Sequence, residues 1–262
     1  MNTPILTRHL FAPLHAELVA LLRGLAPQEW AAPTVAGAWT VKDVAAHLLD
    51  TSLRRLSMHR DAYTPPLAPA EDLAAFVNGM NAEGVSFARR LSPEVLVDQI
   101  DRYGSQQAAF FESLDPFAEA KWGVSWAGEE HSPMWFDVAR ELTERWHHQQ
   151  QIRDASGRPS IYENYLQPVI ATFVRALPFT YRNVEAPEGT TLVLRIDEDR
   201  WSLVRDGVWT LHSGETAQPA SRVTMSGDRA WRLFTRQRID PEAVLEGDMA
   251  LAQPLLRMVS II

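Results

Sequence analysis

Two histidines and one glutamate are the residues of this chain whose types and spacing best fit a metal site. Glu144 and His148 lie four residues apart in a segment typical of a helix, so both side chains can face the same point. His47, much earlier in the chain and in another predicted helix, is the natural third ligand. Two imidazoles and one carboxylate are a common ligand set for catalytic zinc, which keeps one coordination position for water or substrate. The pattern predicts an open, reactive site at these three residues.

Each member of this set also has an ordinary structural interpretation. A glutamate four residues before a histidine often arises by chance, and a single histidine on an apolar helix face is commonly a hydrogen-bonded core residue. We expect His147 to face solvent or support a ligand, although it could replace its neighbour if the helix were rotated. Asn81 could contact substrate or serve helix packing. The metal interpretation depends on the three residues occurring together in this chain order.

The elements that must position these side chains are predicted to be helices. Thr40 and Asp43 form a capping-box pattern, which starts a helix that carries His47 about two turns in. A proline after Ser132 starts the helix that carries Glu144 and His148. Apolar spacing and terminal residues together predict helices at about 6–25, 40–60, 71–90, 92–114 and 132–155.

The pattern changes in the second half of the chain. One further helix is expected from Ile161 to Arg182, despite Pro168. Alternating segments rich in β-branched residues predict strands at 190–196, 200–205 and 221–226. Short helices are expected at 227–235 and 247–259. We therefore predict a multidomain α and α+β protein, with a bundle of four main helices at residues 1–158 and a small α+β domain at residues 159–262.

The composition favours a soluble enzyme that acts on small molecules. The 262 residues carry a net charge of −8, and the basic residues form no run or stripe, so nucleic acid and anionic membranes are poor partners. The sequence contains no long apolar stretch and no secretory pattern at its start, which predicts a cytoplasmic location. Because the chain has no cysteine, any sulfur chemistry must come from a bound small thiol.

Four segments resemble the mycothiol-dependent maleylpyruvate isomerase family, within the wider DinB-like set of metal-binding four-helix bundles. The resemblance implies that His47, Glu144 and His148 hold a divalent metal, and that a low-molecular-weight thiol such as mycothiol is a cosubstrate. It also implies a C-terminal domain similar to sterol carrier proteins. The segments are Trp39-Thr-Val-Lys-Asp-Val-Ala-Ala-His47-Leu, Asn78-Gly-Met-Asn81 with Ala88-Arg-Arg-Leu-Ser-Pro93, Glu144-Arg-Trp-His-His148-Gln-Gln-Gln-Ile152, and Glu246-Gly-Asp248-Met-Ala-Leu-Ala.

One position departs from the family pattern. The family often has an aspartate three residues after its second histidine ligand, and this chain has Gln151 there. A carboxylate beside a ligating histidine fixes its tautomer and strengthens it as a donor. If that aspartate acts on the ligand, metal affinity or substrate choice differs in this chain, and Gln151→Asp should alter one of them.

These observations favour a metal-dependent enzyme of thiol chemistry, and zinc is the expected metal because imidazole and carboxylate ligands suit zinc or its neighbours. The thiolate would attack an electrophilic carbon of a small-molecule substrate, as in an isomerase or a thiol S-transferase. The residues also allow a metal-dependent hydrolase on the same scaffold. A third interpretation is a non-catalytic binding protein whose second domain shelters an apolar ligand. The sequence identifies neither a general base nor the substrate, nor the oligomeric state.

Overall fold

The computed structural model describes residues 3–66, 72–237 and 242–261. The chain folds into two compact units. The first, the helical unit, comprises Leu6–Lys121 and Glu144–Ile161. The second, the sheet unit, comprises Trp122–Thr143, Tyr162–Ile261 and the start of the chain. The division at residue 158 that we predict for the folding domains stays a proposal.

The helical unit is built from amphipathic helices that pack around an apolar core. Its complete helices are α1 (Phe11–Arg23), α2 (Val41–Arg55), α3 (Leu73–Ala88) and α4 (Pro93–Ser113), and it also contains residues 144–155 of α5 (Met134–Ala155). Helix α1 packs on α4, and α2 packs on both α3 and α4. Buried aliphatic side chains of α1, α2 and α4 form the core together with Ile152 of α5. Burial of these side chains provides the main stabilisation of the unit.

Helix α2 begins at the predicted capping box. The Thr40 hydroxyl accepts a hydrogen bond from the Asp43 N–H at 3.3 Å, and the Thr40 N–H donates to the Asp43 carboxylate at 3.1 Å. These bonds satisfy backbone donors that a helix start otherwise leaves open. The cap fixes where α2 begins and therefore which residues face inward, including His47.

Helices α2 and α3 approach each other closely at Gly84. A Cβ atom at this position would lie 2.2 Å from Cγ of Asp50, which is far below any normal contact. Glycine inside a helix costs about 1 kcal/mol relative to alanine. Its absent side chain leaves the space that the Asp50 carboxylate occupies. The close approach also brings Asn81 of α3 against α2.

The sheet unit contains a mixed sheet with short helices. Its described strands are β1 (Thr191–Ile196), β2 (Asp199–Asp206), β3 (Val208–Ser213), β4 (Ser221–Met225) and β5 (Val244–Gly247), in the order β3-β2-β1-β4-β5. Strand β1 pairs parallel with β4, and the other neighbours are antiparallel. The helices are α6 (Leu166–Phe173), α7 (Leu177–Tyr181), α8 (Gly227–Phe234) and α9 (Met249–Leu256), together with the first turns of α5.

The predicted fold class is confirmed, with a helical region followed by a small mixed sheet. All five predicted N-terminal helices form, within a few residues of the predicted ends for α2 to α5. The predicted first residue of α3, Glu71, lies outside the described residues. No helix in the part of the chain that the structure describes is long and apolar enough to cross a membrane.

Two predictions about the second half were wrong in detail. The single helix expected from Ile161 to Arg182 is divided into α6 and α7 by a short 3₁₀ turn at Val174–Ala176. Pro178 lies at the start of α7 and has no N–H to continue a helix from before it, which explains the break. Strands β3 and β5 were not predicted, although Trp209 and Leu211 alternate with more exposed residues.

Candidate metal centre

His47, Glu144 and His148 converge inside the helical unit, and we call these three residues the histidine site. Each offers one ligand atom, and these atoms all lie within 4.8 Å of one another. His148 Nε2 lies 3.6 Å from Glu144 Oε2, one turn away on α5. The His47 ring meets the His148 ring edge to face, with 4.7 Å between their centroids. Among the described residues this is the group whose arrangement could hold a metal ion.

Burial prepares His47 to act as a neutral donor. Its side chain is only 4% exposed, and burial lowers the pKa of His47 well below its usual value. The neighbouring His148, Arg54 and His147 side chains lower this pKa further by electrostatic interaction, whereas the Glu144 carboxylate opposes the shift. A neutral imidazole keeps the lone pair that a metal needs. The buried Nδ1 of His47 has no hydrogen-bond partner among the described residues, which fits a residue that gains a contact when an ion binds.

Gln151 orients His148. The Nδ1–H group of His148 donates a 2.8 Å hydrogen bond to Oε1 of Gln151, one turn later on α5. Because an amide oxygen can only accept, this bond places the ring proton on Nδ1 and leaves the Nε2 lone pair toward Glu144. Gln151 therefore lies beside the ligand as the sequence predicts, and a neutral amide does what a carboxylate does in many metal sites.

Aromatic rings line the histidine site. Trp39, the residue before the α2 cap, has its ring centroid 5.1 Å from that of His47 and 6.4 Å from that of His148. His147 is buried rather than solvent-facing, and its ring centroid lies 4.0 Å from that of His148. The converging ligand atoms among the described residues belong to His47, Glu144 and His148, and the His147 ring packs beside one of these ligands. These rings restrict the movement of both imidazoles.

Sequence reasoning missed a charged group beside the histidine site. Arg54 of α2 forms an ion pair with Asp50 and donates a hydrogen bond to Asn81. The available signal was the spacing of seven residues between His47 and Arg54, which places both on one helix face. Asn81, which we considered for substrate contact or for packing, holds this arginine.

A family model described as the mycothiol maleylpyruvate isomerase N-terminal domain matches residues 11–153, which is more than half of the chain. No curated protein matches the chain. Two solved structures are similar, one of the mycothiol-dependent maleylpyruvate isomerase at 15% identity and one of a histidine-to-alanine mutant of it at 14%. Each alignment covers 95% of both chains with a TM-score of 0.59. At this identity, the structural likeness establishes the fold alone.

Proposed function

Because the chain belongs to the mycothiol maleylpyruvate isomerase family, we propose that it is a metal-dependent enzyme that joins a low-molecular-weight thiol to an electrophilic small molecule. The observation that carries this proposal is the convergence of His47, Glu144 and His148 within 4.8 Å. This set fits catalytic zinc, which commonly has three protein ligands and one exchangeable position. The orphan ring nitrogen of His47 and the fixed tautomer of His148 support the fit.

The residues of the histidine site have separate tasks in this proposal. His47 and His148 donate neutral imidazole nitrogens, and Glu144 contributes the negative charge. When bound, a divalent ion such as zinc supplies Lewis acidity that holds a thiol as its thiolate near neutral pH. Trp39 packs beside both imidazoles and helps to hold them in place. Gln151 keeps the proton of His148 on the nitrogen that faces away from Glu144.

The cosubstrate thiol provides the nucleophile. We propose mycothiol as this thiol, because the family's isomerase depends on it. Its sulfur forms a bond to an electrophilic carbon of an α,β-unsaturated acid, and the double-bond electrons move toward the carbonyl group. In an isomerase, rotation about the resulting single bond is followed by loss of the same thiolate, so the thiol is not consumed. In a transferase, the adduct takes up a proton and leaves. The experiment below identifies the substrate and distinguishes the isomerase from the transferase outcome.

The test follows electrophile and free thiol in parallel with the zinc-loaded protein, with and without mycothiol, in wild type and in His47→Ala. We expect thiol-dependent conversion by wild type and at least a hundredfold lower rate in His47→Ala, since the nucleophile is then no longer activated. His9→Ala, which changes an exposed histidine of the same unit, is the matched control.

Two outcomes would contradict the proposal. Equal turnover without any thiol would assign the protein to the metal-dependent hydrolases. Absence of turnover with every thiol and electrophile, despite stoichiometric metal, would assign it to the binding proteins. In that case the cavity of about 540 Å³ in the sheet unit, whose lining includes Trp135, Trp209 and Arg175, would be the first place to look for a ligand.

A further inference from the structure

Arg54 lies on the same face of α2 as His47, two helical turns farther along. Asp50 lies between them, because positions 47, 50 and 54 follow the three- and four-residue spacing of a helix face. The Nε atom of Arg54 is 2.8 Å from an Asp50 carboxylate oxygen. This ion pair holds the guanidinium on the side of Arg54 that leads back to His47, the direction in which helical side chains lean.

Two nitrogens of the Arg54 guanidinium lie close to oxygen atoms, and the third lies close to a sulfur atom. Besides the Asp50 contact at Nε, Nη2 donates a 2.7 Å hydrogen bond to Oδ1 of Asn81. Nη1 faces the sulfur of Met80 at 3.9 Å. A thioether sulfur is a weak hydrogen-bond acceptor. Nη1 therefore forms a much stronger hydrogen bond if a carboxylate oxygen takes the place of the Met80 sulfur. The side chain is 24% exposed, which leaves it accessible to a ligand.

The surroundings of Arg54 hold it in place. Asp50 is itself packed against Gly84, where no other residue type leaves room for the carboxylate. Asn81 approaches from α3, so the arginine is held between two helices. A side chain that is already ordered loses little conformational entropy when it binds a ligand. Guanidinium also matches the planar geometry of a carboxylate better than an ammonium group does.

We propose that Arg54 binds a carboxylate of the electrophilic substrate and thereby directs the reacting carbon toward the histidine site. The inference rests on the proposed function, because it assigns the anionic end of the electrophile to a particular residue. Arg54 would therefore favour an acid over a neutral ester or amide of the same size. Asn81 is then a positioning residue, which acts through its bond to Arg54.

The binding test uses succinate, a saturated dicarboxylate that cannot accept a thiol. Calorimetric titration of the protein, as purified and after zinc loading, should show succinate binding that weakens about tenfold or more in Arg54→Ala, because a charge-assisted bond is lost. Succinamide, the neutral analogue, should bind weakly and equally to both proteins. Arg60→Ala is the matched control, since Arg60 is an exposed arginine that pairs with Asp61 at the end of the same helical segment.

The kinetic test measures turnover of an unsaturated acid and of its methyl ester by wild type, Arg54→Ala and Arg54→Lys. We expect KM for the acid to rise at least tenfold in Arg54→Ala, with a smaller rise in Arg54→Lys and little change for the ester. Zinc content and circular dichroism identify any variant that fails to fold, and Arg54→Lys, which retains the charge beside Asp50, then carries the test.

Failure of this inference differs from failure of the proposed function. If wild type converts the acid with thiol while Arg54→Ala retains wild-type KM and succinate affinity, the role of Arg54 is wrong and the proposed function stands. If no thiol-dependent turnover occurs but succinate binding still requires Arg54, the anion site stands and the proposed function is wrong. Equal binding of succinate and succinamide by wild type would also overturn the anion site.

Discussion

Helices α2 and α5 both contribute side chains to two polar groups of the helical unit, and α4 adds Gln107 to one of them. The two groups differ in how their polar atoms are arranged. In the histidine site, two imidazoles and a carboxylate turn ligand atoms toward one another, and a buried nitrogen of His47 keeps no hydrogen-bond partner among the described residues. In the arginine cluster, defined as Arg145, Ser52 and Gln107, polar atoms are joined by hydrogen bonds within the cluster.

The arginine cluster is a buried polar group whose hydrogen bonds connect α2, α4 and α5. Nη1 of Arg145 donates to Gln107 Oε1 at 2.7 Å and to Ser52 Oγ at 2.9 Å. The Ser52 hydroxyl lies 2.9 Å from the same glutamine oxygen and 3.0 Å from the carbonyl oxygen of Leu48. Glu144 and Arg145 are adjacent in α5, so a rotation of roughly 100° around the helix separates the two groups. The two groups differ in that the side chains of the arginine cluster are hydrogen-bonded to one another, whereas in the histidine site His148 Nε2 and Glu144 Oε2 lie 3.6 Å apart, beyond hydrogen-bond distance.

The largest effect that the comparison predicts is on metal binding. His47→Ala or His148→Ala should weaken zinc binding by more than about 100-fold, because each removes one of three ligands, whereas loss of a supporting residue costs about 10–100-fold. Competition with a chromophoric chelator measures the affinity, and His9→Ala should match wild type. Full zinc content in the double variant would end the assignment of the histidine site.

Gln107→Leu should have the opposite profile. The leucine removes the oxygen that accepts hydrogen bonds in the arginine cluster, and leaving a buried charged donor less satisfied costs about 2 kcal/mol of unfolding free energy. Urea denaturation measures this loss, and zinc affinity should stay within about twofold of wild type, since additivity holds for independent groups. Gln106→Leu, at the neighbouring and more exposed position of α4, is the matched control. A large loss of zinc affinity in Gln107→Leu would show that the two groups are not separate.

Gln151 tests how far the histidine site depends on its hydrogen bond. Gln151→Leu removes the acceptor for His148 Nδ1–H and should weaken zinc binding by about tenfold. Gln151→Glu keeps the reach of the side chain and adds charge, so it should raise the affinity by a similar factor, and the shorter Gln151→Asp should raise it less. Chelator competition measures all three variants. Identical affinities would refute the role of this residue.

We expect His15, which lies near Arg145, to have a smaller and pH-dependent effect on the unfolding free energy. Its Nε2–H donates to the carbonyl oxygen of Asp101 at 3.1 Å, and the pKa of His15 is lowered first by burial and then by the charge of Arg145. Below its usual pKa of about 6.5, the unfolded chain therefore binds a proton that the folded protein does not. The stability contributed by neutral His15 is present above that pH and is lost as the pH falls toward the lowered pKa.

This sign gives a measurable slope. As the pH falls from about 7.5 to 5.5, the unfolding free energy of the apoprotein should fall, and His15→Gln should make that fall smaller, because the glutamine takes up no proton in either state. Urea denaturation at several pH values measures the slope, with His9→Gln as the exposed control. A variant whose slope equals that of wild type would contradict the lowered pKa.

The sequence predicts features that depend on neighbours along the chain and misses those that depend on contacts between helices. The start of α2, the helix of Glu144 and His148, and the position of Gln151 beside a ligand all follow from local spacing and capping. The contact between Arg54 and Asn81 depends on how closely α3 approaches α2. This distance cannot be predicted from the residue spacing within either helix. Strand β5, with four residues and mostly exposed side chains, carries too little pattern to be predicted.

The predicted ligand set joins residues from two helices that are far apart in the chain. The helical region and the mixed sheet are confirmed, whereas metal binding by His47, Glu144 and His148 stays a prediction that the convergence of the three residues supports. Spacing along one helix could place Glu144 beside His148, whereas His47 was predicted from the usual ligand set of zinc and from the resemblance to a family. A ligand contributed by a second helix is invisible to periodicity, because periodicity describes one helix at a time.

The two glycines within α3 differ in how much room an added methyl group would have. A methyl group at Gly79 would meet nothing within 4 Å, so this glycine gives up about 1 kcal/mol of helix stability for no visible contact. At Gly84 the same methyl group would displace the Asp50 carboxylate and release the ion pair that holds Arg54. Alanine at position 79 should therefore stabilise α3, whereas alanine at position 84 would gain helix propensity and lose the contact that orders Arg54.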